Sequence, residues 1–134
     1  MTADLDVATQ LRTSWLGSVS ELADMDLQRR TWLDSANRNP HWSYLEFVCS
    51  YPDYDQLEQA YREGWLAKRE LEILKDLHHK LDAHLAPGGD DYDNAAVLAD
   101  PAWQAVVAAA EDAKRQLLSI VHDQHERNVL MGAE

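Results

Sequence analysis

The segment from 39 to 65 most constrains how this 134-residue chain can fold, because it holds seven of the eleven aromatic residues. Its first half predicts a helix over about 40–51, with Asn39 as the N-cap and Pro40 at the first helical position. The polar side chains of this helix share one narrow stripe, and every other direction is apolar or aromatic. A helix that is hydrophobic nearly all round is normally enclosed by other elements. We therefore expect it to be the central helix of a small bundle.

The polar stripe of this helix carries Glu46, which lies three residues after Ser43 and four before Ser50. If the helix is enclosed, Glu46 is a carboxylate in an apolar setting, where it needs a hydrogen-bond donor or has its pKa raised. Groups of this kind are frequent in active sites, so Glu46 is a candidate buried acid. The alternative is that the stripe faces water through a slot between helices.

Helical periodicity is strongest in the second half of the chain. From 67 to 86 the leucines recur every three or four residues on one face, with charged residues opposite, which is typical of an amphipathic helix. The glycine- and aspartate-rich run 86–91 then stops that helix. Asp100 and Pro101 begin an alanine-rich helix that we expect to extend to about His125.

Three shorter helices are predicted in the first half, besides the aromatic one. Two of them span about 3–16 and 18–36, and Gly17 separates them. The third is capped by Asp53 or Asp55 and ends at Gly64, which is suited to a left-handed C-cap.

No segment alternates with the period of two that indicates a β-strand. The sequence therefore predicts one all-α domain over 1–134, a helical bundle of five or six helices around the mostly apolar helix at about 40–51. The last residues, about 127–134, are expected to fray.

Acidic residues outnumber basic ones by twenty-four to twelve, which gives a net charge of −12. Such a chain repels the phosphates of nucleic acids and anionic membranes, so we expect neither as a partner. Lysine and arginine are absent between Arg38 and Arg62, and again between Lys80 and Lys114. These two acidic zones either serve solubility or form a docking surface for a basic protein.

The N-terminal residues show no basic region followed by an apolar run, and no window is long and apolar enough for a membrane span. We therefore expect a cytoplasmic protein. Cys49 lies on the apolar side of the helix at 40–51, where it is expected to be a small buried hydrophobe.

Aromatic and acidic side chains in the two acidic zones are the residues that we predict to bind a partner. Aromatic anchors with an acidic rim are typical of a surface that binds a basic protein. The candidates are Trp42, Tyr44, Tyr51, Asp53, Tyr54, Asp55 and Glu58 in the first zone, and Asp91, Tyr92 and Asp93 in the second.

His78 and Asp82 are the candidate metal ligands, because residues four apart share one face of a helix. The other close histidine pair, His122 and His125, would lie about 15 Å away along an antiparallel neighbouring helix. The sequence has no spacing of serine, histidine and acidic residues that suggests a catalytic nucleophile. It also has no glycine-rich phosphate-binding loop and no pair of CxxC motifs. We therefore expect no cofactor.

These observations favour a non-catalytic module that binds a basic protein, in the manner of an immunity protein or an antitoxin-like inhibitor. This hypothesis rests on the size, charge and helicity of the chain. One alternative is a small helical enzyme or metal-dependent protein that uses Glu46 or the pair His78 and Asp82. The other is a helical module that binds a small molecule in an aromatic pocket.

Overall fold

The computed structural model describes residues 3–34 and 43–132, which form an all-α helical bundle, as predicted. These two ranges contain more helices than the five or six expected. They are α1 Ala3–Leu22, α2 Met25–Trp32, α3 Tyr44–Ser50, α4 Tyr54–Arg62, α5 Lys68–Ala83, α6 Asn94–Ala99, α7 Pro101–Leu118 and α8 Gln124–Leu130, with a short 3₁₀ turn at Pro87–Gly89. No helix in the two described ranges is both long and apolar enough to cross a membrane.

The centre of the bundle is α7, and not the segment at 40–51 as predicted. Trp103, Ala110 and Leu117 are completely buried along one face of α7. The helix packs against both α1 and α5. Its alanines allow neighbouring helices to approach closely, while the indole of Trp103 fills the space at the start of the helix.

Helix α3 is shorter than the predicted helix and lies at the edge of the core. It begins after Ser43, whose backbone is extended and whose side chain accepts a hydrogen bond from the backbone N–H of Glu46. Asn39 and Pro40, the predicted start, lie outside the described residues. Seven residues make only about two helical turns, so only one face reaches the core.

The buried residues of α3 are Tyr44 and Phe47. Cys49 is exposed, contrary to the prediction of a buried thiol. The apolar composition of this segment therefore does not make it an enclosed helix.

Helix α1 runs without a break through Gly17, where two separate helices were predicted. Glycine lowers helix stability but does not end a helix whose flanking turns are packed. Val19 and Leu22 beyond it are fully buried, so tertiary packing favours the continuous helix. Gly17 also lies close to α8, because a Cβ placed there would be 3.7 Å from Cγ1 of Val129.

The C-terminal segment is helical up to Leu130, which includes the first residues of the expected frayed tail. The predicted long helix to His125 ends instead at Leu118, and α8 begins after a new N-cap at Asp123. Leu130 is fully buried. Arg127 donates hydrogen bonds to the backbone carbonyls of Leu118 and Val121, which ties α8 to the end of α7.

A largely buried ion cluster joins α1, α5 and α8. Arg12 donates two hydrogen bonds of 2.8 Å to the carboxylate of Glu126, and two of 2.9 and 2.8 Å to that of Glu70. Its fifth hydrogen is donated to the backbone carbonyl of Trp65 at 2.9 Å. Every donor of the guanidinium therefore has an acceptor, and the cluster holds the helices together without a free group to bind a ligand.

Candidate functional site

The aromatic residues predicted to bind a partner lie mostly inside the core. Tyr44 and Tyr51 are only 4% and 6% exposed, so they are not surface anchors, contrary to the prediction. Tyr54 is half-buried, with its ring 4.3 Å from that of His78. Trp42 lies outside the described residues. A segment that supplies several large side chains to one core leaves few of them for a surface.

The acidic residues of α4 are mostly engaged within the fold. Asp53 is the N-cap of α4, and its carboxylate accepts a hydrogen bond from the backbone N–H of Gln56. Glu58 pairs with Lys75 at 2.7 Å, and this hydrogen bond and charge hold the pKa of Glu58 below its usual value. Asp55 is exposed in the first turn of α4. Their negative charge is therefore partly balanced locally.

Glu46 is exposed, so the prediction of a buried acid is wrong. The prediction assumed that α3 is enclosed, whereas α3 presents one face to the core and the opposite face to water. Glu46 therefore remains in contact with water.

His78 is packed between aromatic rings, and its predicted partner Asp82 is exposed. The ring of Tyr51 stacks on His78 at 6.0 Å, and Nδ1 of His78 is buried without a hydrogen-bond partner. The described part of the chain has no group of three or more His, Cys, Asp or Glu side chains that could hold a metal ion. The predicted pair therefore gains no third ligand there.

The second acidic zone forms an exposed surface on residues 84–93, between α5 and α6, which we call the acidic connection. Leu85 and Tyr92 are 82% and 80% exposed, the highest values among the large hydrophobic residues of the described chain. Asp90, Asp91 and Asp93 of the same connection are also exposed. One short connection therefore presents two exposed apolar side chains and three exposed carboxylates, a composition typical of an apolar contact with an acidic rim.

The backbone of the acidic connection is held by its own hydrogen bonds. Gly88 and Gly89 have φ values of +66° and +73°, which glycine adopts without strain, and they form the 3₁₀ turn. The carboxylate of Asp90 accepts a hydrogen bond from the backbone N–H of Tyr92. Asp93 caps α6 by accepting from the backbone N–H of Ala96. These contacts fix where the exposed side chains are presented.

His84 anchors the first residue of the acidic connection in the core. Its side chain is 1% exposed, and its Nδ1 lies 2.9 Å from the hydroxyl of Tyr44 while its Nε2 lies 2.9 Å from Oδ2 of Asp100. The ring also packs edge-on against Trp103. One histidine thus connects the end of α5 with the starts of α3 and α7, immediately before the exposed Leu85.

The charges around His84 affect the neighbouring pKa values. Hydrogen bonds from the backbone N–H of Ala102 and from His84 hold the pKa of Asp100 below its usual value. Burial raises the pKa of Tyr44, and the negative charges of Asp91 and Asp100 raise it further. The Tyr44 hydroxyl therefore stays protonated near neutral pH.

The sequence did not indicate the roles of Leu85 and His84. Leu85 continues the leucine spacing of α5 and was placed on its buried face, but α5 ends at Ala83 and the next residue has an extended backbone. His84 falls within the helix predicted over 67–86, and its spacing gave no sign of a buried position. The nearby Pro87, Gly88 and Gly89 are the sequence signal for an earlier end of the helix.

No protein family, curated protein or solved structure matches this chain.

Proposed function

We propose that this chain is a non-catalytic module that binds a basic protein through the acidic connection. The observation that carries the proposal is the exposure of Leu85 and Tyr92 on a rigid turn that also carries Asp90, Asp91 and Asp93. Large apolar side chains that are exposed to solvent are typical of residues that contact a partner protein. Tyrosine is enriched among the hot spots of such interfaces. The predicted site at Asp91, Tyr92 and Asp93 is thereby retained and gains Leu85.

The charge of the surrounding chain supports a basic partner. No lysine or arginine occurs between Lys80 and Lys114, so the acidic connection has no local positive charge in sequence. A surface of this kind attracts a positively charged protein over a distance and increases its association rate, most strongly at low salt.

The rigidity of the turn supports tight binding. Association normally requires side chains and loops to lose conformational freedom, and this cost is smaller when the loop is already held in one conformation. The hydrogen bonds of Asp90 and Asp93 and the buried His84 fix the turn before a partner arrives.

The surroundings of Tyr44, His84 and Asp100 favour binding over catalysis. A hydroxyl, an imidazole and a carboxylate in a row also occur in nucleophilic enzymes. Here Tyr44 is only 4% exposed, its ring packs against those of His84 and Trp103, and its hydroxyl contacts His84 in a buried position, so a substrate has no direct access to it. A small acidic inhibitor, in the manner of an immunity protein or antitoxin, is the concrete form of the proposal.

A pull-down from the lysate of the source cells tests this proposal. The bait is the wild-type chain or the double variant Leu85→Ser/Tyr92→Ser, washed at low and at high salt, with retained proteins identified by mass. We expect one basic protein to be retained by the wild type at low salt, weakened at high salt, and lost with the double variant.

A matched control separates the acidic connection from net charge. Asp90→Asn/Asp91→Asn/Asp93→Asn removes three charges at the acidic connection, and Asp26→Asn/Glu63→Gln/Glu111→Gln removes three exposed charges elsewhere. Only the first variant should weaken capture. Retention of the same basic protein by all variants at equal yield contradicts the proposed site.

A further inference from the structure

A groove of about 420 Å³ lies between α1, α2 and α8, away from the acidic connection. Thr13, Gly17 and Ser20 of α1 form its floor, Leu27 of α2 is in one wall, and Val129 of α8 is in the other. Its volume is in the range of small-molecule sites. Gly17 leaves space because it has no side chain. From Thr13 to Ser20 the floor is about 10 Å long at 1.5 Å per residue.

The two helices that border the groove run in the same direction. Arg12 in the middle of α1 contacts Glu126 near the start of α8, while Ser20 near the end of α1 lies 3.4 Å from where a Cβ on Gly132, just after α8, would be. The C-termini of α1 and α8 therefore lie at the same end of the groove. Helix C-termini carry partial negative charge, and the last turn of α1 contains no basic residue to balance it.

Asp24 adds a full negative charge at this end of the groove. Its Oδ1 accepts a hydrogen bond from the backbone N–H of Leu27, where it caps α2. Within the described residues its other carboxylate oxygen has no hydrogen-bond partner. The end of the groove therefore favours a positively charged group.

Ser20 is an independent indication that the groove binds a ligand. Its side chain lines the groove, and the residue is only 9% exposed. Two other hydroxyls of α1 donate to a backbone carbonyl four residues earlier, Thr13 to Thr9 and Ser18 to Ser14. The Ser20 hydroxyl makes no hydrogen bond among the described residues and lines the open groove, so it is available to a ligand there.

We propose that this groove binds a small aliphatic amine, with its ammonium group at Ser20 and Asp24 and its apolar chain along Gly17 and Val129. The ammonium would donate to the Ser20 hydroxyl and to the free oxygen of Asp24, while the chain covers the apolar floor. Such a site is separate from the protein-binding surface.

Arg30 on the α2 wall distinguishes an amine from an acidic ligand. Its positive charge disfavours a nearby ammonium and favours a carboxylate. Arg30→Gln should therefore leave amine binding unchanged or strengthen it. A variant that binds the amine more weakly would overturn the assignment in favour of a ligand that also carries an anionic group.

Titration with three six-carbon probes tests the proposal. Hexylamine, hexanol and hexanoate share one chain and differ in head group, and amide shifts of Gly17 and Gly132 report binding by NMR at pH 7. We expect saturable shifts with hexylamine at a Kd on the order of 1 mM, as its few heavy atoms allow. Hexanol should bind about tenfold more weakly and hexanoate not at all.

Three variants locate the ligand. Asp24→Asn keeps a residue suited to an N-cap but removes the charge. It should therefore weaken the binding of hexylamine about tenfold and leave the binding of hexanol unchanged. Ser20→Ala should weaken the binding of both probes. Gly17→Leu should abolish the binding of both, because the leucine side chain fills the floor of the groove. Thermal melts test whether each variant is folded. If Gly17→Leu folds poorly, Asp24→Asn and Ser20→Ala still decide the outcome. Equal binding of all three probes, or no shifts, overturns the proposal.

Discussion

Arg12 and Glu70 are joined by two parallel hydrogen bonds, from Nη1 and Nη2 of the guanidinium to Oε1 and Oε2 of the carboxylate. The same Oε1 accepts the backbone N–H of Ala67, so Glu70 also satisfies a donor at the start of α5. Through Glu126 the guanidinium reaches α8 as well. One side chain therefore fixes how three helices meet.

Removing Arg12 should destabilise the fold strongly. Arg12→Met leaves Glu70 and Glu126 largely buried beside each other without their common partner, and we expect a loss of about 3–5 kcal/mol in the free energy of unfolding. Urea denaturation measures it. Arg115→Met is the control, because Arg115 pairs with Asp112 on the surface and should cost less than about 0.5 kcal/mol. A loss below about 1 kcal/mol for Arg12→Met contradicts the role of the cluster.

The same cluster should make stability depend on pH. Burial raises the pKa of Glu70, but hydrogen bonds from Arg12 and from the Ala67 backbone, with the charge of Arg12, outweigh it and hold the pKa below 4.5. A carboxyl with a lowered folded-state pKa stabilises the fold above its unfolded pKa and loses that contribution as pH falls through the folded value.

Glu70→Gln provides the measurement. The stability difference between wild type and Glu70→Gln should be largest above pH 5 and should shrink as the pH falls from about 4.5 toward 3. Urea midpoints at several pH values show it. A difference that stays constant over this range would mean that Glu70 does not titrate as the structure indicates.

Local patterns were sufficient to predict several elements of the fold. Leucines spaced three or four residues apart, with charged residues on the opposite face, predicted α5. Asp100 followed by Pro101 predicted the start of α7. Gly64 was predicted as a left-handed C-cap, and its φ is +80°, with the backbone N–H of Trp65 donating to the carbonyl of Ala60. Each of these features depends on residues a few positions apart.

Features that depend on distant residues were not predicted. The partners of His84 lie 40 and 16 residues away, and those of Arg12 lie 58 and 114 residues away. Periodicity shows that a residue faces the core, but not which side chain it meets there. For the same reason the aromatic segment was placed at the centre, although its helix is too short to be enclosed.

Gly17→Ala should stabilise the chain. Gly17 lies inside α1 with helical backbone, and a Cβ there meets Val129 at an ordinary contact distance of 3.7 Å. Alanine in a helix interior is favoured over glycine by about 0.5–1 kcal/mol. Thermal and urea unfolding should show this gain. Gly64→Ala is the opposite control, because its φ of +80° disfavours any residue with a Cβ; a loss of stability for both variants contradicts the packing at Gly17.

Tyr44→Phe should destabilise the fold by about 1–3 kcal/mol, because it leaves the buried Nδ1 of His84 without its partner. Tyr54→Phe is the matched control. Its hydroxyl lies 3.1 Å from Nδ1 of His79 at an exposed position, so water replaces the lost contact and the cost should stay below about 0.5 kcal/mol. Urea denaturation compares the two. Equal costs would show that the His84 hydrogen bond does not stabilise the fold.

The rates of partner binding should separate the acidic rim from the apolar anchors. The triple variant Asp90→Asn/Asp91→Asn/Asp93→Asn should slow association about tenfold at low salt and flatten its salt dependence, with little change in dissociation, because rim charges act mainly on the encounter. Tyr92→Ala should instead speed dissociation, by a factor equivalent to about 2 kcal/mol if it is a buried hot spot.

Stopped-flow or surface-based kinetics with the captured partner measure both rates. The charge-matched variant Asp26→Asn/Glu63→Gln/Glu111→Gln has the same net charge, so it shows how much of the effect belongs to the whole molecule. An association rate that is equal in the two triple variants would mean that the acidic connection does not steer the partner. An unchanged dissociation rate for Tyr92→Ala would show that this side chain is not part of the interface. A buried tyrosine that excludes water from a contact cannot be truncated to alanine without loss of affinity.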